Sequence, residues 1–479
     1  MKRVKAFAIS ILILLLMVFI VIPAAQSQVK EYKLTLSECE EYKKMFDDPR
    51  PYLKDFYKKV VPTEVYRRLT YDVEAMKKLW AECVGFRAPD VVGKIAPEIK
   101  PGKYTYKDKE KYPGLKELMF PDYYKRFNPS TPPHVGNFSE ITVVPTRQYF
   151  FALPVAEATR KNMGRTKLDD QGYIINESYN AGYPFPQPDG KFKAQQIVYN
   201  MFKRYSNFEN YFITNRLLGY TKNLRQDYDG ATEWYDLRLH GRATMEPYGW
   251  FDERARVNGE ASATLIKHLA PRDNYGTAFS IMYYLDPDKF DQFLIYINVL
   301  RRIRKMSTTD TQDPVAGQDI IYEDKEGFSQ KLSPKRYPYK FEVISEREYL
   351  IPAASWTGSE YINSKNYEYH NLEFERRPMY VLKLTQLDKN YVYSQRILYM
   401  DKETFILYHT ENYNQKGRLY RTFDMVPYFI PEMGMFIAAN WLYRDHIDQH
   451  SGFGLTYVLP APWLAREHID LGGLIKKGK

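Results

Sequence analysis

Past about position 140 the chain becomes a succession of short runs in which apolar and polar side chains alternate, and that period of two confines it to a β-rich fold. Phe279, Met282 and Tyr284 precede Phe293, Ile295, Ile297 and Val299. Further on, Tyr380, Leu382 and Leu384 alternate with Val381, Lys383 and Thr385, and Phe405, Leu407 and His409 with Thr404, Ile406 and Tyr408. The breaks are short and turn-like: Asp286-Pro287-Asp288, Asp388-Lys389-Asn390, Asp401-Lys402-Glu403 and Asn414-Gln415-Lys416-Gly417. Antiparallel strands joined by tight turns into a large curved sheet are the expected result. The 43 tyrosines point the same way, because tyrosine favours strands and suits surfaces that are apolar on the body and wet at the tip.

The first third reads differently. Leu36, Cys39, Tyr42, Met45 and Phe46 recur at three- and four-residue steps, as do Val65, Leu69, Val73, Met76 and Trp80, which predicts two or three helices from Leu34 to about Gly85. Pro97, Pro101, Pro113, Pro121, Pro129, Pro132 and Pro133 then interrupt any long element between Pro89 and Pro133, so this stretch is expected to be an extended connector. Strand patterning begins with Glu140 to Phe151. A turn at Ala181-Gly182-Tyr183-Pro184-Phe185-Pro186 precedes one amphipathic helix, Ala194 to Tyr205, with Ile197, Val198, Met201, Phe202 and Tyr205 on one face. The expected organisation is an N-terminal signal over 1–27, a helical segment and proline-rich connector over 28–135, and an antiparallel β domain over 136–479.

The signal rests on Lys2, Arg3 and Lys5 followed by an apolar run from Ala6 to Ile22, the anatomy of a secretory leader. Pro23 ends its helix, and Ala25-Gln26-Ser27 has the small-x-small spacing of a cleavage site, so the mature chain is expected to begin at Gln28 in the periplasm. An uncleaved anchor is the alternative, since the run approaches the roughly 17 to 25 residues that span a bilayer. Cys39 and Cys83, the only two cysteines, could pair in an oxidising compartment or remain unconnected thiols. Net charge is +10, or +7 once the three cations of the leader are removed, a surplus that simple solubility accounts for first and that otherwise suits anionic lipid headgroups better than nucleic acid in an exported chain.

Several ordered stretches resemble one family: Val144-Pro145-Thr146-Arg147 through Ala158-Thr159-Arg160-Lys161-Asn162, the Gly182 to Pro186 element, Tyr296 to Arg304, Gly317-Gln318-Asp319, Glu348 to Pro352, Tyr391 to Thr404, and Asn412 to Gly417. They are similar to the proteobacterial outer-membrane lipoprotein-sorting proteins grouped as domain of unknown function thirteen twenty-nine, and span about Tyr123 to Asp424. That family is similar in fold to the periplasmic lipoprotein carriers LolA and LolB. The resemblance implies a β-rich α+β fold, a half-open antiparallel sheet with helices on its concave face, and an apolar cavity for lipid or lipoprotein acyl chains. It makes an inner-membrane loading transporter and the outer membrane candidate partners. Burying acyl chains gains roughly 0.8 kcal/mol per methylene, and tyrosine and methionine make an adaptable lining. The same apolar faces would look identical in sequence if they were packed core.

Chemistry-bearing patterns are sparse. In Asp445-His446-Ile447-Asp448-Gln449-His450, a strand would place His446, Asp448 and His450 on one face as metal ligands, the alternative being the solvent side of that strand. Glu373 and Glu375 sit at strand spacing among charges and are expected on a solvated face. Arg301, Arg302, Arg304 and Lys305 could meet a lipid phosphate, or could protect a solvated edge strand from aggregation. No nucleophile elbow, phosphate loop or zinc-protease motif is present, so neither a catalytic residue nor a cofactor is expected. Two further classes stay open: an outer-membrane β-barrel or scaffold, and a metal-dependent hydrolase at His446 to His450.

Overall fold

The alternating runs pair into one sheet of fifteen strands. The structure is a computed structural model that describes residues 57–58, 60–306, 312, 314–315, 318–354, 361–363, 365–370 and 372–471. The expected leader over 1–27, Cys39 and the first predicted helix lie outside the described residues. No helix among the described residues is long and apolar enough to cross a membrane.

In chain order the strands begin with β1 Gly102–Thr105, β2 Glu140–Val143, β3 Asn210–Tyr220 and β4 Gln226–Arg238. A separate ribbon, β5 His240–Arg242 and β6 Gly249–Trp250, follows. Next come β7 Glu260–Ala270, β8 Ala278–Tyr284, β9 Gln292–Ile297, β10 Arg302–Lys305 and β11 Tyr339–Pro352. A second ribbon is β12 Tyr361–Asn363 with β13 Glu368–His370. The series ends with β14 Glu373–Gln386, β15 Gln395–Asp401, β16 Leu407–Tyr413, β17 Leu419–Ile430, β18 Met435–Asp445 and β19 His450–Pro460. Three of the expected turn sequences are the turns of the β14 to β17 meander, and Asp286-Pro287-Asp288 lies between β8 and β9.

Across the main sheet the order is β1-β2-β14-β15-β16-β17-β18-β19-β3-β4-β7-β8-β9-β10, with β11 alongside β14. The sheet is not closed: β1 stands at one end and β10 at the other. Among the named strands of the described residues, only β2 with β14 is parallel. The seam between β19 and β3 runs from Ser451↔Tyr220 to Pro460↔Tyr211 and joins the end of the chain to its middle. This is the β-rich α+β, open and mostly antiparallel architecture expected above.

Helices cover the β14 side. Val73–Val84 starts at Asp72, whose carboxylate accepts from the Ala75 N–H at 2.6 Å. Its buried stripe of Met76, Leu79, Trp80 and Cys83 follows helical spacing. Trp80 packs edge-on against Phe151 and Tyr183, and its indole N–H donates to the Glu403 carbonyl at 2.8 Å. Beyond β2 the expected strand stops at Val143: Tyr149, Phe150 and Phe151 are core residues, and Leu153–Asn162 is a helix with a proline in its first turn. Lys193–Phe202 is the amphipathic helix read from the sequence.

The proline-dense stretch contributes β1 and two short helices, Gly114–Leu118 and Pro121–Arg126. Leu115, Leu118, Phe120 and Phe127 are fully buried. Arg126, 1% exposed, donates to Asp122 at 2.7 Å, to Asp424 at 3.0 Å and to Glu368. Arg444 donates to Asp424 at 2.7 Å, and the His409 Nδ1 lies 2.7 Å from the same carboxylate. Through this buried cluster the stretch is tied to β13, β16, β17 and β18.

Candidate ligand cavity

Between β3 and β9 one face of the sheet carries a continuous apolar row. The register places Ile213 beside Trp234, Trp234 beside Ile266, Ile266 beside Phe279, and Phe279 beside Ile295. Because strand side chains alternate, all five project to the same side. There they line a cavity of about 330 Å³ whose wall is predominantly apolar. Ile320, Ile321 and Tyr322 also line it. Phe423, Met425 and Trp441 extend the lining onto β17 and β18.

Glycines set the depth of this floor. A Cβ on Gly454 would lie 2.1 Å from Trp441 Cε2, and one on Gly230 would lie 2.5 Å from the Tyr228 ring. Each aromatic ring therefore lies across the space that a side chain on the neighbouring backbone would fill. One polar row interrupts the apolar floor: Thr456, Asn215, Thr232 and His268 are register neighbours. Within it Thr456 donates to Asn215 at 3.2 Å, and Thr232 Oγ1 accepts from the Trp234 indole at 2.7 Å. His268 is buried, and burial lowers its pKa to about 4, so it is neutral.

Two residues further along the same strands the face turns polar. Tyr211, Asp236 and Thr264 are register neighbours, and Arg238 lies beside Ser262 and Ser262 beside Tyr283. These line a second cavity, also of about 330 Å³, which shares Asn207, Lys325 and Glu326 with the first. The end of helix Lys193–Phe202 and the following Lys203 and Arg204 form part of its wall.

Its carboxylates are largely engaged. Glu209 accepts backbone N–H bonds from Ala243, Thr244 and Met245 at 2.5, 3.0 and 2.9 Å. Asp291 pairs with Lys331 at 2.6 Å, and Glu326 with Arg204. Asp236 accepts from Thr264 at 2.5 Å, and burial raises its carboxyl pKa. Lys203 and Lys325 instead lie against aromatic rings, each 4.8 Å from the centroid, of Tyr179 and Trp234 respectively. Burial and the nearby Arg238 charge lower the Lys203 pKa to about 8.

The residues singled out from sequence sit elsewhere. His446 and Asp448 belong to the turn between β18 and β19, not to a strand, so the alternation that would have aligned them with His450 does not exist. His446 bonds Thr422 at 3.0 Å; His450 lies 2.6 Å from Asp319 and 3.0 Å from Asp227. Asp448 instead meets Asp319 and Asp445, with one oxygen of each within 4.8 Å of the others. Asp445 already accepts from Arg421 at 3.1 Å and from the N–H groups of Ile447 and Asp448 at 2.9 Å.

Glu375 is fully buried rather than solvated, because β14 is covered on both faces; its carboxylate accepts from the Arg147 N–H at 2.9 Å. Glu373 pairs with the Arg147 side chain. Arg302, Arg304 and Lys305 form the exposed edge strand β10, with Arg301 just before it. Cys83 is a buried free thiol directed at the Ala156 carbonyl at 3.4 Å, and its proposed partner Cys39 is outside the described residues.

The model of the family described as protein of unknown function (DUF1329) matches residues 133–456. The chain belongs to the DUF1329 family. A solved DUF1329 protein from Desulfovibrio piger is 13% identical with a TM-score of 0.42, covering 58% of this chain and 96% of that one. A domain named for outer membrane lipoprotein sorting, from Vibrio parahaemolyticus, is 16% identical with a TM-score of 0.41, covering 58% and 97%. A LolA superfamily protein from Nitrosomonas europaea is 12% identical with a TM-score of 0.34, covering 57% and 98%. No curated protein sequence matches. The DUF1329 match contains the lining residues of both cavities, whereas the helix Val73–Val84 precedes it.

The cavity residues were missed in the sequence because their message lies across strands. Thr232, Trp234, Asp236 and Arg238 run from apolar to charged along one face of β4, a gradient readable in sequence. That Ile266 and Ile213 flank Trp234 requires the register.

Proposed function

We propose that this DUF1329 protein is a periplasmic binding or carrier protein that holds a lipid, a lipoprotein acyl chain or another hydrophobic ligand without transforming it. The observation that carries the reading is the apolar cavity over Ile213, Trp234, Ile266, Phe279 and Ile295, which the side chains of the described residues leave unfilled. Its size falls at the lower end of the range for ligand pockets. An alkyl chain placed there leaves water for a wall of aliphatic and aromatic groups, gaining roughly 0.8 kcal/mol per methylene. The leader expected over residues 1–27 and the family's likeness in fold to the LolA and LolB carriers support this compartment and acyl-chain chemistry. The open sheet supports a cargo-holding role better than a membrane pore, which needs a closed cylinder.

The test is displacement of N-phenyl-1-naphthylamine from the purified protein by straight-chain alcohols of increasing length. Affinity should rise by about fourfold per methylene until the cavity is full. Ile266→Trp, which occupies the space, should weaken binding of the longer alcohols while leaving the circular dichroism spectrum unchanged. A dye that does not bind, or a folded variant that binds as the parent does, would refute the reading.

A further inference from the structure

The two cavities occupy successive levels of one sheet face and meet at Asn207, Lys325 and Glu326. Along β4 the transition takes one step of the alternation, from Trp234 to Asp236; along β3 it goes from Ile213 to Tyr211. A ligand lying along these strands would therefore have its two ends in different media. We propose that the two cavities form one site for a single-chain amphiphile with an anionic head, its alkyl tail over Trp234 and Ile266 and its carboxylate or phosphate among Lys325, Lys203 and Arg238. This deepens the carrier reading and rests on it.

The sign of the head follows from how the charges are already engaged. Arg204 and Lys331 are matched by Glu326 and Asp291, and Glu209 is held by three backbone N–H groups. Neither Lys203 nor Lys325 is in ion-pair contact with a carboxylate among the described residues; each faces an aromatic ring instead. Arg238 donates to the Arg204 carbonyl at 2.5 Å and lies 4.3 Å from the Tyr205 ring centroid. Three cations thus line a recess whose carboxylates are either engaged or, for Asp236, raised by burial against the opposing Lys325 charge. The lowered Lys203 pKa is the cost of a buried cation without a counter-charge, which an arriving anion would relieve.

Lys325 borders both cavities. Its ammonium lies 4.8 Å from the Trp234 ring centroid, at the boundary where a head above the tail would meet it. A cationic head would meet like charges, and a neutral one would gain only the polar hydrogen bonds.

Dodecanoate, dodecanol and dodecyltrimethylammonium offer one tail with three heads. Each is titrated at neutral pH, below its micellar concentration, into the full mature chain and into Lys203→Met, Lys325→Met and the double variant. Dodecanoate should bind roughly tenfold or more tighter than dodecanol, and the ammonium compound weakest. The double variant should bring dodecanoate down to the level of dodecanol with dodecanol binding retained, which also certifies its fold. Equal binding of acid and alcohol to the parent would overturn the assigned head while leaving the hydrophobic-ligand reading intact. An acid preference that survives the double substitution would overturn this placement. Failure of all three to bind would overturn both. Dodecyl phosphate run beside dodecanoate separates a phosphate head from a carboxylate: whichever binds more tightly, and loses more in the double variant, is the head chemistry.

Discussion

Replacing Asp424 by Asn should be among the most damaging single-atom changes in this protein. The carboxylate accepts from Arg126 at 3.0 Å and from Arg444 at 2.7 Å, and lies 2.7 Å from the His409 ring nitrogen, with all four residues almost wholly buried. Burial alone would raise its pKa, but Arg126, His409 and Arg444 outweigh that and hold it far below the usual carboxylate range. Asparagine keeps the shape but leaves two guanidinium groups facing Asp122 and Glu368 with one negative charge removed. Breaking a buried pair by removing one partner costs about 3–5 kcal/mol. The Asp424→Asn chain should therefore lose about that much in urea unfolding followed by tryptophan fluorescence and far-ultraviolet circular dichroism. A loss below about 1 kcal/mol, the scale of an exposed pair, would refute the view that this cluster anchors the proline-dense stretch to β17 and β18.

Three further outcomes are expected. Burial disfavours the His409 imidazolium, but Asp424, Asp122 and Glu411 outweigh it and raise its pKa. The stability it contributes is therefore complete below its unfolded pKa near 6.5 and lost as pH rises through the higher folded value; urea midpoints should fall over that window, and less so in His409→Gln. Gly454→Ala should drive Trp441 from its place, costing about 1–3 kcal/mol and changing the tryptophan emission; unchanged emission and stability would show that the ring is not fixed over that glycine. Burial raises the Cys83 thiol pKa to about 11, so iodoacetamide at mildly alkaline pH should label it only after denaturation, as read by intact mass; rapid labelling of the native chain would contradict its burial.

What the sequence made legible depended on how locally each feature is encoded. Helix Lys193–Phe202 and the turns of the β14 to β17 meander follow from a few adjacent residues and are found where expected. Leu153–Asn162 went unread although Pro154 is a helix-start signal, because the aromatic run before it resembles a strand. Charges at strand spacing around Glu375 point to a solvated face, yet β14 is covered on both faces. Asp448 meets Asp319, and Ile213 meets Trp234, only after distant segments pair, and no spacing along the chain encodes either encounter.

The exposed strand at the β9 side of the sheet carries a consequence for how copies of this protein behave together. An unpaired ladder is a template onto which an identical chain can hydrogen-bond, the first step toward a fibre. Here that template bears Arg302, Arg304 and Lys305, so two copies docking at the inter-strand spacing of about 4.8 Å would bring cation onto cation. Ionic strength should therefore govern self-association: the protein stays dispersed in dilute buffer, and concentrated salt, by shortening the range of that repulsion, favours end-to-end growth.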